Sequence, residues 1–237
     1  MKTTLLSLSV VSALGFSVLA DEHGELIFSD DFERTESQET KDEPGNGWGT
    51  NSKSRAKGNK QVDLKDGAMR IFVHEEADHA VSVTQPFEFT DGAVGVKFLL
   101  EEKQDSLGLN FADLQEKSVH AGHLFVVRVK PDVVQIQDLK TGNMRLDFRE
   151  ARLAKKVTDE QKKRVASKTK NIPHEVSVGE WHDLLVEISG DTATVSIDGE
   201  KVGDFTSEGF AHPTKRMLRL AVPRNAVVDD VRIWRKK

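Results

Sequence analysis

The chain has 237 residues, no cysteine and no tyrosine, with 31% charged and 37% hydrophobic residues and a formal net charge of −5. Without cysteine, disulfide stapling, thiolate metal sites, cysteine nucleophiles and an N-terminal lipidated cysteine are all excluded. The length suits one large all-β domain or two small ones. Mild acidity, with both signs of charge spread through the chain, argues against a nucleic-acid partner.

Residues 1–20 read as a cleaved signal peptide. Lys2 supplies a positive start, Leu5 to Leu19 form an apolar run, and Val18-Leu19-Ala20 ends in small residues suited to cleavage. The run is shorter than the ~20 residues that span a bilayer, so stable membrane insertion is not expected. The mature chain, residues 21–237, is expected to be a single exported domain, periplasmic or extracellular. Its oligomeric state stays open. A cysteine-free exported domain relies on packing, with a metal as a further source of stability. Residues 33–61 are polar and rich in Gly, Ser and Lys and read as a long surface loop. Trp48 is the one large apolar residue there and is expected to be exposed.

From Val62 onward the dominant hydrophobic period is two. Met69, Ile71 and Val73 share a face after the hairpin signal Asp66-Gly67. Val94, Val96, Phe98 and Leu100 follow the turn Asp91-Gly92, and then come Phe125, Val127 and Val129, and Val134 with Ile136. His182, Leu184, Val186 and Ile188 lead through Ser189-Gly190-Asp191 into Ala193, Val195 and Ile197, and Asp198-Gly199 turns again. Leu218, Leu220 and Val222 precede a last strand, Val227 to Trp234. About a dozen short strands at this spacing predict an all-β sandwich. Trp181 and Trp234, in strands, read as core or sheet-edge packing. Residues 149–170 break the pattern: they are rich in helix formers, and Thr158-Asp159-Glu160-Gln161 is a capping box. They read as a solvated helical insertion, a basic docking surface being the alternative.

Two passages carry a family resemblance: Gly179-Glu180-Trp181-His182-Asp183 running on to the Ile197-Asp198-Gly199 turn, and the ending VVDDVRIW at 227–234. They resemble the concanavalin A-like lectin/glucanase superfamily. Within it, the chain looks most like the bacterial 3-keto-disaccharide hydrolase, or family-16-glycosidase-like, domains. The opening FSDDFER at 28–34 is similar to their first strand. The resemblance implies a two-sheet antiparallel jelly-roll sandwich and a saccharide ligand on one open sheet. One departure matters. The E-x-D-x-(x)-E run, which by strand alternation sets two catalytic carboxylates on one face, is absent here.

The candidate site residues are therefore mainly histidines, which serve near neutral pH as bases, sugar partners or metal ligands. His79 and His123, with Asp78 as a carboxylate partner, are the catalytic candidates, and His120, His182, His212 and Trp48 the ligand-binding ones. Gly122 allows the chain to bend so that His120 and His123 converge, although i and i+3 face opposite ways in a regular strand. The alternative for all of them is a set of polar residues flanking turns. Alternation places Asp30 and Asp229 on apolar faces, where a carboxylate needs a partner. If the first and last strands pair, as the resemblance implies, the two could hold a structural Ca²⁺, unless backbone amides satisfy them instead. Two functions stay open: an exported hydrolase of (3-keto-)glycosides or related sugars, and a non-catalytic carbohydrate-binding or cell-surface module.

Overall fold

A computed structural model describes residues 23–237; the signal peptide read at residues 1–20 lies outside them. In chain order the elements are β1 (Glu25–Asp30), β2 (Gly49–Thr50), α1 (Ser52–Arg55), β3 (Val62–Lys65), β4 (Ala68–Phe72), β5 (Val81–Phe89), β6 (Gly92–Leu99), β7 (Leu107–Ala112), β8 (His123–Lys130) and β9 (Val133–Asp138). Then come α2 (Leu146–Leu153), α3 (Asp159–Ser167), β10 (Thr169–Pro173), β11 (Trp181–Ser189), β12 (Thr192–Ile197), β13 (Glu200–Thr206), β14 (Lys215–Val222) and β15 (Asn225–Arg235). The strands form two antiparallel sheets. One runs β13-β12-β11-β6-β15-β4-β3 with β1 added against β15, and the other runs β10-β9-β8-β7-β14-β5-β2.

Alternation explains the layering. Val94, Val96, Phe98, Leu184, Val186, Ile188 and Val195 from the first sheet meet Leu107, Leu109, Phe111, Phe125, Val127, Leu218 and Leu220 from the second in one buried core. Phe111 and Phe125 stack with ring centroids 4.5 Å apart. The turns follow their residues. Asp66-Gly67 and Asp198-Gly199 both take positive φ at each position, as a two-residue hairpin turn requires. The helical insertion stands between β9 and β10, and Thr158 and Gln161 cap α3 reciprocally. No helix among the described residues is long and apolar enough to cross a membrane.

Three expectations change. In β15 the register shifts between Asp229 and Arg232, and Asp230 takes φ +46°. This bulge adds one residue, so Val228 and Val231 both point into the core while Asp229 and Asp230 stay outside it. Asp229 is thus not on an apolar face. Burial first, and then the charge of Asp230, lift its carboxyl above the ordinary range, against the bond it accepts from the Asp230 amide.

Trp48 is buried rather than exposed. Its ring meets Phe28 edge-on at 5.6 Å, and its indole N–H donates to Asp30 Oδ2 at 2.7 Å. Asp30 is itself buried, as expected, but its oxygens are filled by Arg34 (2.6 and 2.9 Å), the Phe32 amide (3.0 Å) and Trp48. Burial opposes the charge, yet these donors hold the carboxyl below its ordinary range. A carboxylate saturated by four donors has no lone pair left for calcium, and its proposed partner points elsewhere. Conversely Trp181 is 41% exposed on the outer face of the first sheet, with Lys97 over its ring.

Candidate functional site

The outer face of the seven-stranded sheet carries a groove of about 670 Å³ that crosses β5, β14, β7, β8 and β9. Its floor comes from the alternate residues of those strands. Asn110 lies between the core residues Leu109 and Phe111, Arg128 between Val127 and Val129, and Arg219 between Leu218 and Leu220. One wall is the α2 segment, which contributes Arg149 and Arg152. The opposite wall is the α1 and β5 side, with Asn51, Arg55 and His79.

His123 is the centre of the floor. It opens β8, and the chain reaches it through a tight turn at His120–Gly122 in which Ala121 takes φ +50° and Gly122 φ +69°. A Cβ at Gly122 would stand 2.2 Å from the Asp113 carbonyl oxygen, so only glycine fits. The turn swings His120 back, leaving the His120 and His123 rings 6.4 Å apart. The i, i+3 objection fails because only His123 belongs to the strand.

His123 Nδ1 lies 3.0 Å from both Asn110 Oδ1 and Arg219 Nη1. Arg219 also donates to the Ala121 carbonyl at 2.7 Å. Among the described residues the His123 Nε2 has no hydrogen-bond partner and is not enclosed, so it faces the groove. Burial first, then the positive charges of Arg219, His120 and His79, push the imidazole down to about 3, so it is neutral at physiological pH. His120, exposed at the mouth, is lowered by burial and by Arg149, Arg152 and Arg219.

The other sequence candidates divide. His79 is exposed, lines the groove and contacts its neighbour Ala80. Asp78 does not partner it: its carboxylate faces Arg55 at 3.6 Å, outside the groove. His182 belongs to the other sheet, fixed between Asp198 (2.7 Å) and the Ser177 carbonyl (3.1 Å). His212 is buried in a separate network with Asp113 (3.0 Å) and Lys140 (2.9 Å). Thus three of the histidines meet in one groove, while His182, His212, Trp48, Asp30 and Asp229 lie elsewhere. The arginines and Asn110 were not singled out in the sequence. For Asn110, Arg128 and Arg219 the signal was a lone polar residue between apolar neighbours in a central strand; Arg149 and Arg152, on α2, had no such mark.

No carboxylate lines this groove among the described residues. The buried carboxylates at the ends of its strands are engaged elsewhere. Asp113 accepts from His212 and Arg216, and Asp138 from Thr141, Ser207 and the Gly209 amide. Among the described residues no group of three or more His, Asp or Glu is placed to hold a metal ion.

The arrangement of two stacked antiparallel sheets matches many solved structures. This is the concanavalin A-like jelly-roll fold. A similar concanavalin A-like structure is SCLam, a non-specific endo-β-1,3(4)-glucanase of family GH16, at 13% identity and TM-score 0.58 over 90% of this chain and 91% of that one. The laminarinase catalytic domain of Thermotoga maritima MSB8 matches at 14% identity and TM-score 0.54, over 90% and 98%. The carbohydrate-binding module CBM66 from Bacillus subtilis matches at 13% and TM-score 0.50, over 78% and 93%. No family model matches the chain, and no curated protein does.

Proposed function

We propose that this chain is an exported carbohydrate-active protein whose saccharide site is the groove on the seven-stranded sheet, and that it cleaves 3-keto-glycosides or related sugars by histidine chemistry. The observation that carries the reading is the convergence of His79, His120 and His123 among arginines, with no carboxylate lining the groove among the described residues. Solved glucanases with this fold, and a binding module with it, support a sugar as the ligand.

The charge of the groove selects the chemistry. Ordinary glycoside cleavage builds positive charge on the sugar and relies on two carboxylates; a cationic groove opposes it. A 3-keto-glycoside can react through negative charge instead. Loss of the C2 proton to a base leaves an enolate on the C3 oxygen. That enolate expels the C1 oxygen, which leaves with a proton, and water then adds across the new C1–C2 double bond, so the net reaction is hydrolysis. Arginines favour the enolate electrostatically. His123, already neutral, offers Nε2 as a fixed hydrogen-bonding group, and His120 and His79 at the mouth are left to move the protons.

Turnover of a 3-keto-disaccharide, read as release of the free sugars, tests this. His120→Ala and His123→Ala should abolish it and His182→Ala should not. Equal turnover in all three variants overturns the assignment. Tight sugar binding with no turnover of any 3-keto-glycoside favours the second reading, a non-catalytic module, which the missing carboxylate pair supports.

A further inference from the structure

The arginines of this protein fall into two groups. Most lie within 4.0 Å of a carboxylate: Asp30 for Arg34, Glu101 for Arg70, Asp113 for Arg216, and so on through Arg55, Arg145, Arg164, Arg224, Arg232 and Arg235. Among the described residues four have no such partner: Arg128, Arg149, Arg152 and Arg219. All four line the same groove.

The two on the floor, Arg219 and Arg128, are also not simply solvated. Arg219 is only 9% exposed, and its partners Ala121 O, Asn110 and His123 are all neutral. Arg128, half-buried, has Gln135 Oε1 at 2.9 Å. Taking a guanidinium out of water costs several kcal/mol unless a counter-charge accompanies it, and the fold supplies none. Arg149 and Arg152 are three residues apart on α2, which sets them on one helix face. They extend the positive surface from the floor up the wall.

We infer that the ligand of this groove is an acidic saccharide, whose carboxylate or sulfate groups supply the counter-charge missing from these four arginines. A planar guanidinium meets either oxyanion with two parallel hydrogen bonds. Sugar hydroxyls give neutral acceptors and would leave the positive charge uncompensated. The inference rests on the groove being a saccharide site and names the class of saccharide it takes. The helical insertion thereby acquires a role: it carries half of the unpaired positive charge to the groove.

Calorimetric titration of the whole mature chain tests it with three probes: an oligogalacturonate, a sulfated galactan oligosaccharide and a neutral laminari-oligosaccharide. The carboxylated or the sulfated probe should bind more tightly than the neutral one, and the stronger of the two identifies the oxyanion. Arg149→Gln with Arg152→Gln, on the helix surface, should leave the melting midpoint in place and weaken acidic-probe binding about tenfold or more, the size of one or two charge-assisted hydrogen bonds. Neutral-probe affinity should not move. Neutral binding equal to acidic binding, or acidic binding indifferent to the two substitutions, overturns the inference while the saccharide reading stands. If no probe of any kind binds, the saccharide reading falls with it.

Discussion

Arg219 Nη1 sits 3.0 Å from Nδ1 of His123 on the floor of the groove. A permanent cation against the ring nitrogen of a largely buried imidazole keeps that ring neutral. Burial is the larger cause and Arg219 the next. The pair shows how the groove is tuned by cations, where a glucanase of this fold class would need carboxylates.

The titration of His123 follows from that contact. Arg219→Gln should move its midpoint upward from about 3, toward the ordinary 6.5, as followed by NMR of the ring protons. A midpoint that stays put would mean burial acts alone. The same shift has a stability sign. The unfolded chain takes up a proton near 6.5 and the folded one only near 3, so stability is fully present above 6.5 and is lost as pH falls through that window. His123→Gln should flatten that part of the pH–stability curve.

Gly122 predicts a coupled loss. Gly122→Ala forces a Cβ against the Asp113 carbonyl at a positive φ. It should cost about 2 kcal/mol or more in urea unfolding and weaken saccharide binding with it, because the turn sets His120 against His123. Full binding in a folded variant would show that the turn does not position the histidines.

Trp48 predicts a loss of a different kind. Trp48→Phe keeps the ring in the core but leaves Asp30 without its indole donor. Unfolding should become easier by about 1.5–3 kcal/mol, the usual worth of a hydrogen bond to a charged group, with saccharide affinity unchanged. Reduced affinity at full stability would return Trp48 to the ligand.

Calcium gives the simplest measurement. With Asp30 saturated by Arg34, Phe32 and Trp48, and Asp229 turned out by the bulge, melting curves with excess calcium and with EDTA should coincide. A rise of several degrees in calcium would contradict this.

The strand alternation was legible because core burial imposes it: Met69, Ile71, Val94, Val96, Leu218 and Leu220 are all buried as the period requires. So were the hairpins, since Asp-Gly suits the positive φ of such turns, and so was the capped helix at Thr158. Alternation failed at Asp229 because a bulge shifts the phase by one residue without any apolar signature. It failed at Trp48 because a loop residue can be drawn inward by one buried carboxylate eighteen positions earlier in the chain. The histidine clusters led to part of the groove. Asp78 went astray because its loop turns the carboxylate to Arg55, His182 because β11 belongs to the other sheet, and His212 because the loop before β14 buries it against Asp113 and Lys140. The arginines escaped notice because an unpaired cation becomes informative only once its surroundings are known to contain no carboxylate.

The pairing of β1 with β15 joins Glu25–Asp30 to the last strand, Asn225–Arg235. That sheet cannot be completed until β15 has been made, and contacts so distant in sequence form slowly. Within the larger sheet β15 also separates β6 from β4, so before it arrives that sheet exists only as two unjoined halves. One strand therefore holds three separate parts of that sheet together, β1, β6 and β4, and weakening it loosens all three at once.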